Sequence, residues 1–327
     1  MTLRQFVLSS GCALALAIGG AAAASAQDYP TRAVTIVVPY SAGGTLDTIA
    51  RHLGSGLAER LGKPFLIENK TGGGTVVGTN AVAKATPDGY TLLMGSSTPL
   101  AINATLYKNL PYDTKADLKL LALVAASPLV MVVNPSVPIR SYADMIRGVK
   151  AKPKAFNYAS AGIGSPHHLF MELLMSMTGM EMTHVPYRGT PPALTDLISG
   201  QIPIMFCDLI SGLELMKAGK IRPIFTGTRK RLAVLPDVPS MDEVGLADFN
   251  AASWLGVAVA SATPLPVKTK LHTELTGIIR SPGFKANVDK LGMTVMDNGS
   301  LDELNAFMQK EIVRWGEVVK KSGAHAE

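Results

Sequence analysis

The chain has 327 residues, of which 47% are hydrophobic, 17% are charged and 6% are aromatic. This length and composition suffice for one large or two moderate folded domains and exclude a disordered chain. The net charge of +6 is spread along the sequence, and its densest run, Arg229-Lys230-Arg231, contains no aromatic residue, which argues against nucleic acid bound by base stacking.

The N-terminal segment, residues 1–26, has the features of a secretory signal peptide. Arg4 precedes an apolar stretch over 6–24, and Ala24-Ser25-Ala26 forms an A-x-A cleavage site. A membrane anchor is the weaker alternative, because the stretch is rich in alanine and glycine and no stop-transfer flank follows. Lipid attachment at Cys12 is disfavoured because most of the apolar region follows that cysteine. We therefore predict export and cleavage after Ala26.

The remaining sequence alternates short apolar runs with stretches of helical periodicity. Strands are predicted at 34–39, 65–68, 90–94, 129–133, 156–158, 202–206, 222–226 and 254–260. Helices are predicted at 46–61, 142–150, 167–178, 192–199 and 301–320, the first ending at Gly62. This alternation predicts an α/β fold with a mostly parallel sheet covered by helices.

Two of the predicted strands, 129–133 and 254–260, are suited to cross between two lobes. Residues 27–130 and 252–327 then form lobe I, and residues 131–251 form lobe II. Two crossings make a two-strand hinge, and closure of a hinge around a ligand is a known binding mode.

No constellation of catalytic or metal-binding residues emerges from the sequence. The six histidines lack H-E-x-x-H spacing, and His167 and His168 would point about 100° apart on a helix. The Gly72-Gly73-Gly74-Thr75 run lacks the lysine of a P-loop, and no G-x-S-x-G elbow is present. We therefore predict a protein that is not an enzyme and that needs no metal or other cofactor.

Three glycine-rich loops, at 41–45, 71–75 and 161–165, each follow a predicted strand and open a predicted helix. Exposed amides at a helix N-terminus suit an anion, and glycine lets a ligand approach the backbone. In open α/β sheets such loops gather at the carboxyl ends of the strands. Ordinary βα turns are the alternative for any one loop, but three of them in both proposed lobes favour an anion-binding cleft.

The residues also carry a family resemblance, which covers residues 29–323. The matching segments include Tyr29-Pro30-x-Arg32, Val38-Pro39-Tyr40-x-Ala42-Gly43-Gly44-x-x-Asp47, Glu68-Asn69-Lys70, Asp88-Gly89-Tyr90-Thr91-Leu92-Leu93, Tyr158-Ala159-Ser160-x-Gly162-x-Gly164, His184-Val185-Pro186-Tyr187-Arg188-Gly189, Leu235-Pro236-Asp237-Val238-Pro239-Ser240, Trp254-x-Gly256 and Trp315-Gly316. In these segments the chain resembles the Bug-type, TctC-like receptors of tripartite tricarboxylate transporters.

This resemblance implies a periplasmic binding protein fold of type II, with a small carboxylate held between the lobes mainly by backbone amides and ordered water. Dicarboxylates, amino-acid-like acids and aromatic acids are the implied ligands, and the integral membrane subunits of the transporter are the implied partners. We expect a periplasmic monomer. The candidate ligand-binding residues are Tyr40, Ser41, Ala42, Gly43, Gly44, Thr45, Asp47, Gly73, Gly74, Ser96, Ser160, Ala161, Gly162, Gly164, Ser165, His168, Tyr187 and Asp208.

Some positions leave alternatives open. The family's second loop reads G-A-G-G-N-I-G, so Val76 replaces an amide side chain, and Cys207 is unusual before Asp208. Asp208 suits either a hydrogen-bond acceptor in the cleft or the N-cap of the helix that follows it. A receptor that serves a two-component sensor is the alternative function, and an exported hydrolase is a more distant one.

The cleavage site yields the first prediction. The intact mass of the protein recovered from the periplasm of an expressing bacterium should correspond to a chain that begins at Gln27, because Ala24-Ser25-Ala26 directs cleavage after Ala26. Recovery of a chain that begins at a lipid-modified Cys12 would contradict it.

Overall fold

The computed structural model describes residues 29–187, 189–246 and 252–326, so the predicted signal peptide lies outside the described residues. Strands β1 to β10 span Val34–Val38, Phe65–Asn69, Thr91–Ser96, Leu118–Val133, Asn157–Ser160, Thr183–Pro186, Ile204–Asp208, Arg222–Thr226, Ala252–Ala260 and Thr294–Val295. Helices α1 to α11 span Thr45–Leu61, Val76–Ala83, Asn103–Leu106, Thr114–Asp117, Tyr142–Ala151, Pro166–Thr178, Thr190–Ser199, Leu209–Lys217, Leu265–Ile279, Pro282–Lys290 and Leu301–Ser322. None of the helices described is both long and apolar enough to span a membrane.

The strands form one curled sheet in the order β2-β1-β3-β9-β4-β7-β5-β6, with β8 and β10 also paired to β4. We call the part built on β1, β2, β3 and β9 the first lobe, and the part built on β5 to β8 the second lobe. Strands β1 to β3 are parallel, as are β5, β6 and β7. The prediction of a mostly parallel sheet was wrong, because β9 pairs antiparallel with β3 and β4, and β4 also pairs antiparallel with β7. Strands β4 and β9 lie between the two parallel sets. They are not part of the strand–helix–strand units from which the parallel sets are built.

Strand β4 is a single run of 16 residues that belongs to both lobes. Its residues 118–128 pair with β9, whereas residues 129–133 pair with β7 on one side and β8 on the other. The predicted crossing strand at 129–133 therefore forms the last five residues of a strand of 16. The residues that lead into β9, at 247–251, lie outside the described part of the chain.

The C-terminal helix α11 packs against both lobes. Trp315 is completely buried, and its ring centroid lies 5.2 Å from that of Phe170 on helix α6 of the second lobe. The buried carboxylate of Glu311 accepts hydrogen bonds from the indole N–H of Trp254 on β9, at 2.8 Å, and from that of Trp315, at 3.1 Å. Arg314 pairs with the other oxygen of Glu311 at 3.0 Å. One carboxylate thus joins β9 to the helix that reaches the second lobe.

We predict that Glu311→Ala lowers the free energy of unfolding by about 3 kcal/mol, because a buried donor left without an acceptor costs about 1–3 kcal/mol and two indoles lose theirs. Denaturant unfolding measures this loss. The matched control is Glu317→Ala, an exposed glutamate of the same helix, which should change the free energy of unfolding by less than about 0.5 kcal/mol. Equal unfolding midpoints for both variants would contradict the role of Glu311.

Candidate ligand-binding site

The candidate residues lie around the carboxyl ends of six strands. The first loop, residues 41–45, follows β1, the second loop, residues 71–75, follows β2, and Ser96 ends β3. In the second lobe Ser160 ends β5, the third loop, residues 161–165, follows it, Tyr187 follows β6, and Asp208 ends β7. Because the strands within each lobe's set are parallel, these ends gather at one edge of each set, where ligands of open α/β sheets bind.

The first loop is held in place by the buried carboxylate of Asp47. Its Oδ2 accepts hydrogen bonds from the amide of Gly43, at 2.8 Å, and from Nε of Arg51, at 3.0 Å, while Oδ1 accepts from Asn69 at 3.1 Å. Burial alone would raise the pKa of Asp47, but these hydrogen bonds outweigh it and hold the pKa below its ordinary value. Asp47 therefore holds the loop from its buried side, and both of its carboxylate oxygens already accept hydrogen bonds.

The amides that open helix α1 are available to an anion. The N-cap residue is Gly44, which has no side chain to cap the first turn. Gly43 has a φ of +78°, which favours glycine, whereas Gly44 has an ordinary φ of −78°. The loop residues from Ser41 to Gly44 are exposed and include no lysine or arginine. This geometry provides uncharged N–H donors together with the positive end of the α1 dipole.

Tyr40 and Ser96 come together beside the first loop. Their hydroxyl oxygens lie 2.6 Å apart, and Ser96 Oγ also accepts a hydrogen bond from the amide of Thr98 at 3.1 Å. One of the two hydroxyl protons is used between them, so the other can be donated to a ligand. Burial raises the pKa of Tyr40 to about 12, and the charge of Asp208 in the second lobe raises it too, so the phenol stays protonated.

The second loop is supported by helix α3 and the residue that follows it. Tyr107 Oη donates to the carbonyl of Gly73 at 2.9 Å, and Asn103 Nδ2 donates to the carbonyl of Gly74 at 3.1 Å. Gly74 has a φ of +56°, and a Cβ there would lie 2.4 Å from Tyr107 Oη, so both backbone and space require glycine. Val76 is half-buried and packs against the core. Gly73 and Gly74 contact α3 and its neighbour, and no hydrogen bond joins them to the other candidate residues.

The third loop rests on two stacked imidazoles. His168 Nδ1 accepts from the amide of Gly164 at 3.1 Å, and His184 Nε2 lies 2.6 Å from Ser160 Oγ, which also accepts from the amide of Gly162. The two rings are nearly parallel, with centroids 3.9 Å apart. Burial lowers the pKa of His168 to about 3 and that of His184 to about 4, and the charge of His184 further lowers that of His168. Both rings are neutral at neutral pH, and His168 positions the loop.

The remaining polar groups of the third loop and of Tyr187 are internally paired. Ser165 Oγ donates to the carbonyl of Gly162 at 2.7 Å and caps helix α6 by accepting from the amide of His168. Tyr187 Oη donates to Asp196 on α7 at 2.6 Å, and its amide donates to the carbonyl of Ser160 at 3.0 Å. The Tyr187 hydroxyl is thus turned toward helix α7.

Asp208 occupies the N-cap position of helix α8, but its side chain does not cap that helix. Its Oδ2 accepts a hydrogen bond from Thr190 Oγ1 at 2.8 Å and lies 3.1 Å from Nε2 of the buried His167. Burial alone would raise the pKa of Asp208, but the charge and hydrogen bond of His167 and the Thr190 hydroxyl hold it below its ordinary value. The neighbouring Cys207 is buried in the second-lobe core and does not line the cleft.

Several supporting residues were not predicted from the sequence. They share a role, which is to hold a loop or a candidate side chain from behind: Arg51, Asn69, Asn103, Tyr107, His167, His184 and Thr190. Their signal in the sequence is slight, since each is an ordinary polar residue whose partner is set by tertiary structure. Within the described ranges no three His, Cys, Asp or Glu side chains come together as a metal site.

The curled sheet, its two sets of parallel strands and the loops at their ends define a two-lobed periplasmic binding protein of type II. Residues 49–324 match the TctC family, described as the tripartite tricarboxylate transporter family receptor. The chain therefore belongs to the TctC family of Bug-type solute-binding receptors, which are not enzymes.

Three solved structures show the extent of the similarity. The periplasmic binding protein BugD is 32% identical, with a TM-score of 0.81 and coverage of 91% of this chain and 100% of BugD. Rpa4515 of R. palustris, solved with adipate, is 34% identical, with a TM-score of 0.81 and coverage of 91% and 99%. MatC from Rhodopseudomonas palustris, solved with bound malate, is 31% identical, with a TM-score of 0.80 and coverage of 89% and 100%.

We predict that Gly44→Val weakens binding of the cognate ligand by at least about tenfold, because the added side chain would cover the uncapped amides of α1. A Cβ at this position would lie 3.3 Å from the carbonyl of Ser41, so the fold needs only a small adjustment. Isothermal titration calorimetry measures the affinity. Gly148→Val, on helix α5 with open space around the Cβ, is the matched control. Unchanged affinity in Gly44→Val would remove the first loop from the site.

Proposed function

We propose that this receptor captures a small carboxylate between its two lobes in the periplasm and presents it to the integral membrane subunits of a tripartite tricarboxylate transporter. The observation that carries the proposal is the N-terminus of α1 at Gly44, which has no side-chain cap and lies in the exposed first loop, next to the hydroxyl pair of Tyr40 and Ser96. Adipate in Rpa4515 and malate in MatC support the same ligand class.

The proposed donors are uncharged. A carboxylate at the first loop would meet the α1 amides and one hydroxyl proton of the Tyr40–Ser96 pair, and the third loop would add amides from the second lobe. An anion at a helix N-terminus gains about 0.3–1 kcal/mol when exposed and up to about 2 kcal/mol when partly buried. Tight binding of a carboxylate therefore needs several such donors together, and in the proposed site they come from both lobes.

The proposed closure uses strand β4 as the connection between lobes. Lobe I then comprises 27–130 and 252–327, and lobe II comprises 131–251, with the predicted crossing strand 254–260 as the second connection. The lobes already touch beside the loops, because a Cβ on Gly164 of the third loop would lie 1.9 Å from Cδ2 of Leu106 on α3. We further propose that the mature chain, from Gln27, acts as a monomer.

A thermal-shift screen tests this function on the chain from residue 27 to 327. Malate, succinate, aspartate, adipate and benzoate form the test panel, and the amides of the same acids form the control panel. At about a hundredfold excess over its dissociation constant, a bound acid should stabilise the fold by ~2.7 kcal/mol, and its amide should not. Failure of every carboxylate, or equal stabilisation by the amides, would contradict the proposed function.

A further inference from the structure

A carboxylate at the end of β7 is an unexpected neighbour for an anionic ligand. The pKa of Asp208 lies below its ordinary value, so the group is ionised at neutral pH and repels a nearby carboxylate. Its charge also raises the pKa of Tyr40 on the opposite lobe, beside the first loop. A ligand bound there must therefore bring a group that compensates for this repulsion.

The hydrogen bonds of Asp208 show which oxygen is available. Thr190 and His167 both contact Oδ2, at 2.8 Å and 3.1 Å, whereas Oδ1 accepts no hydrogen bond from any side chain in the described ranges. The side chain is 25% exposed, while that of His167 is only 7% exposed. The buried partners thus hold Oδ2 and leave Oδ1 without a side-chain donor among the described residues.

The two sides of the cleft therefore differ in hydrogen-bonding character. The first lobe offers donors, namely the α1 amides and a hydroxyl of the Tyr40–Ser96 pair. The second lobe offers the amides of the third loop and, beside them, the acceptor Oδ1 of Asp208. A simple dicarboxylate satisfies the donors but leaves the acceptor unpaired or facing a second negative charge, which is unfavourable.

We propose that the ligand is a carboxylic acid that also carries a hydroxyl or ammonium group, which donates a hydrogen bond to Oδ1 of Asp208. His167 is the positioning residue that orients this carboxylate. The proposal rests on the proposed function and narrows its ligand class. An ordered water between Asp208 and the ligand is the competing arrangement, and it would not discriminate between acids with and without the donor.

Matched pairs of acids test the proposal by calorimetry. Malate and aspartate are each compared with succinate, and mandelate is compared with phenylacetate, so that only the hydroxyl or ammonium group differs within a pair. The wild-type protein should prefer the donor-bearing member of the pair that fits by at least about tenfold, the value of one hydrogen bond to a charged group. Preference for malate indicates a hydroxyl donor, and preference for aspartate indicates an ammonium donor.

The variant Asp208→Asn sharpens the test. Thr190 and His167 both donate to the Oδ2 position, so the amide oxygen of asparagine should occupy it and the NH₂ group should replace Oδ1. An acceptor toward the cleft thereby becomes a donor. The preference should reverse, with the donor-bearing acid losing about tenfold and the acid without the donor gaining affinity. The melting temperature should change little, because both contacts at Oδ2 persist.

His167→Gln and Asp242→Asn complete the set. His167→Gln should reduce the ratio of the two affinities within a pair, which a merely structural role of His167 would leave unchanged. Asp242 is exposed and outside the cleft, so Asp242→Asn should keep both affinities. Equal binding of both members of every pair by the wild-type protein, or an unchanged preference in Asp208→Asn, would overturn the proposal. Absence of binding by every acid would instead contradict the proposed function.

Discussion

The cleft depends on one strand that serves two lobes. Strand β4 exchanges β9 for β7 and β8 between Pro128 and Leu129, without a break in its own course. Leu129 pairs directly with Asp208, so this carboxylate lies at the point where the strand changes partners. A rotation of the lobes about this point would move the loop tips far and Asp208 little. In the proposed closure, the changeover in β4 would keep the acceptor in place while the first-lobe donors approach it.

All three loops follow the same physical rule, although their sequences differ. A buried polar side chain behind each loop binds part of its backbone. Asp47 performs this role for the first loop, Asn103 for the second and His168 for the third. Buried polar groups are costly unless they are hydrogen-bonded, so each support is stable only with its loop in place. The amides are therefore held in position before any ligand arrives, which lowers the ordering cost of binding.

The sequence predicts much of this arrangement, and its failures have identifiable causes. A run of apolar residues predicts β1, apolar residues spaced four apart predict α1, and glycine clusters predict the loops. These signals can be read because they are local in the sequence. Residues 118–128 of β4 escape prediction because leucine and alanine, which favour helix, dominate them and Val124 is their only β-branched residue. The pairs His167 with Asp208 and His184 with Ser160 depend on strands and helices that meet only in the folded chain. Local pattern therefore predicts where the site lies, whereas tertiary contacts determine what each side chain does there.

The proposed binding mode also explains why an anion receptor places an ionised carboxylate in its cleft. A ligand shifts a conformational equilibrium only by the difference in its affinity for the two states. A carboxylate bound to the first-lobe amides alone would bind open and closed forms alike and would not favour closure. A ligand that also donates to Asp208 connects the two lobes and therefore binds the closed form more tightly. The repulsive charge of Asp208 then penalises acids that lack the donor, so the same residue adds to closure and supplies selectivity.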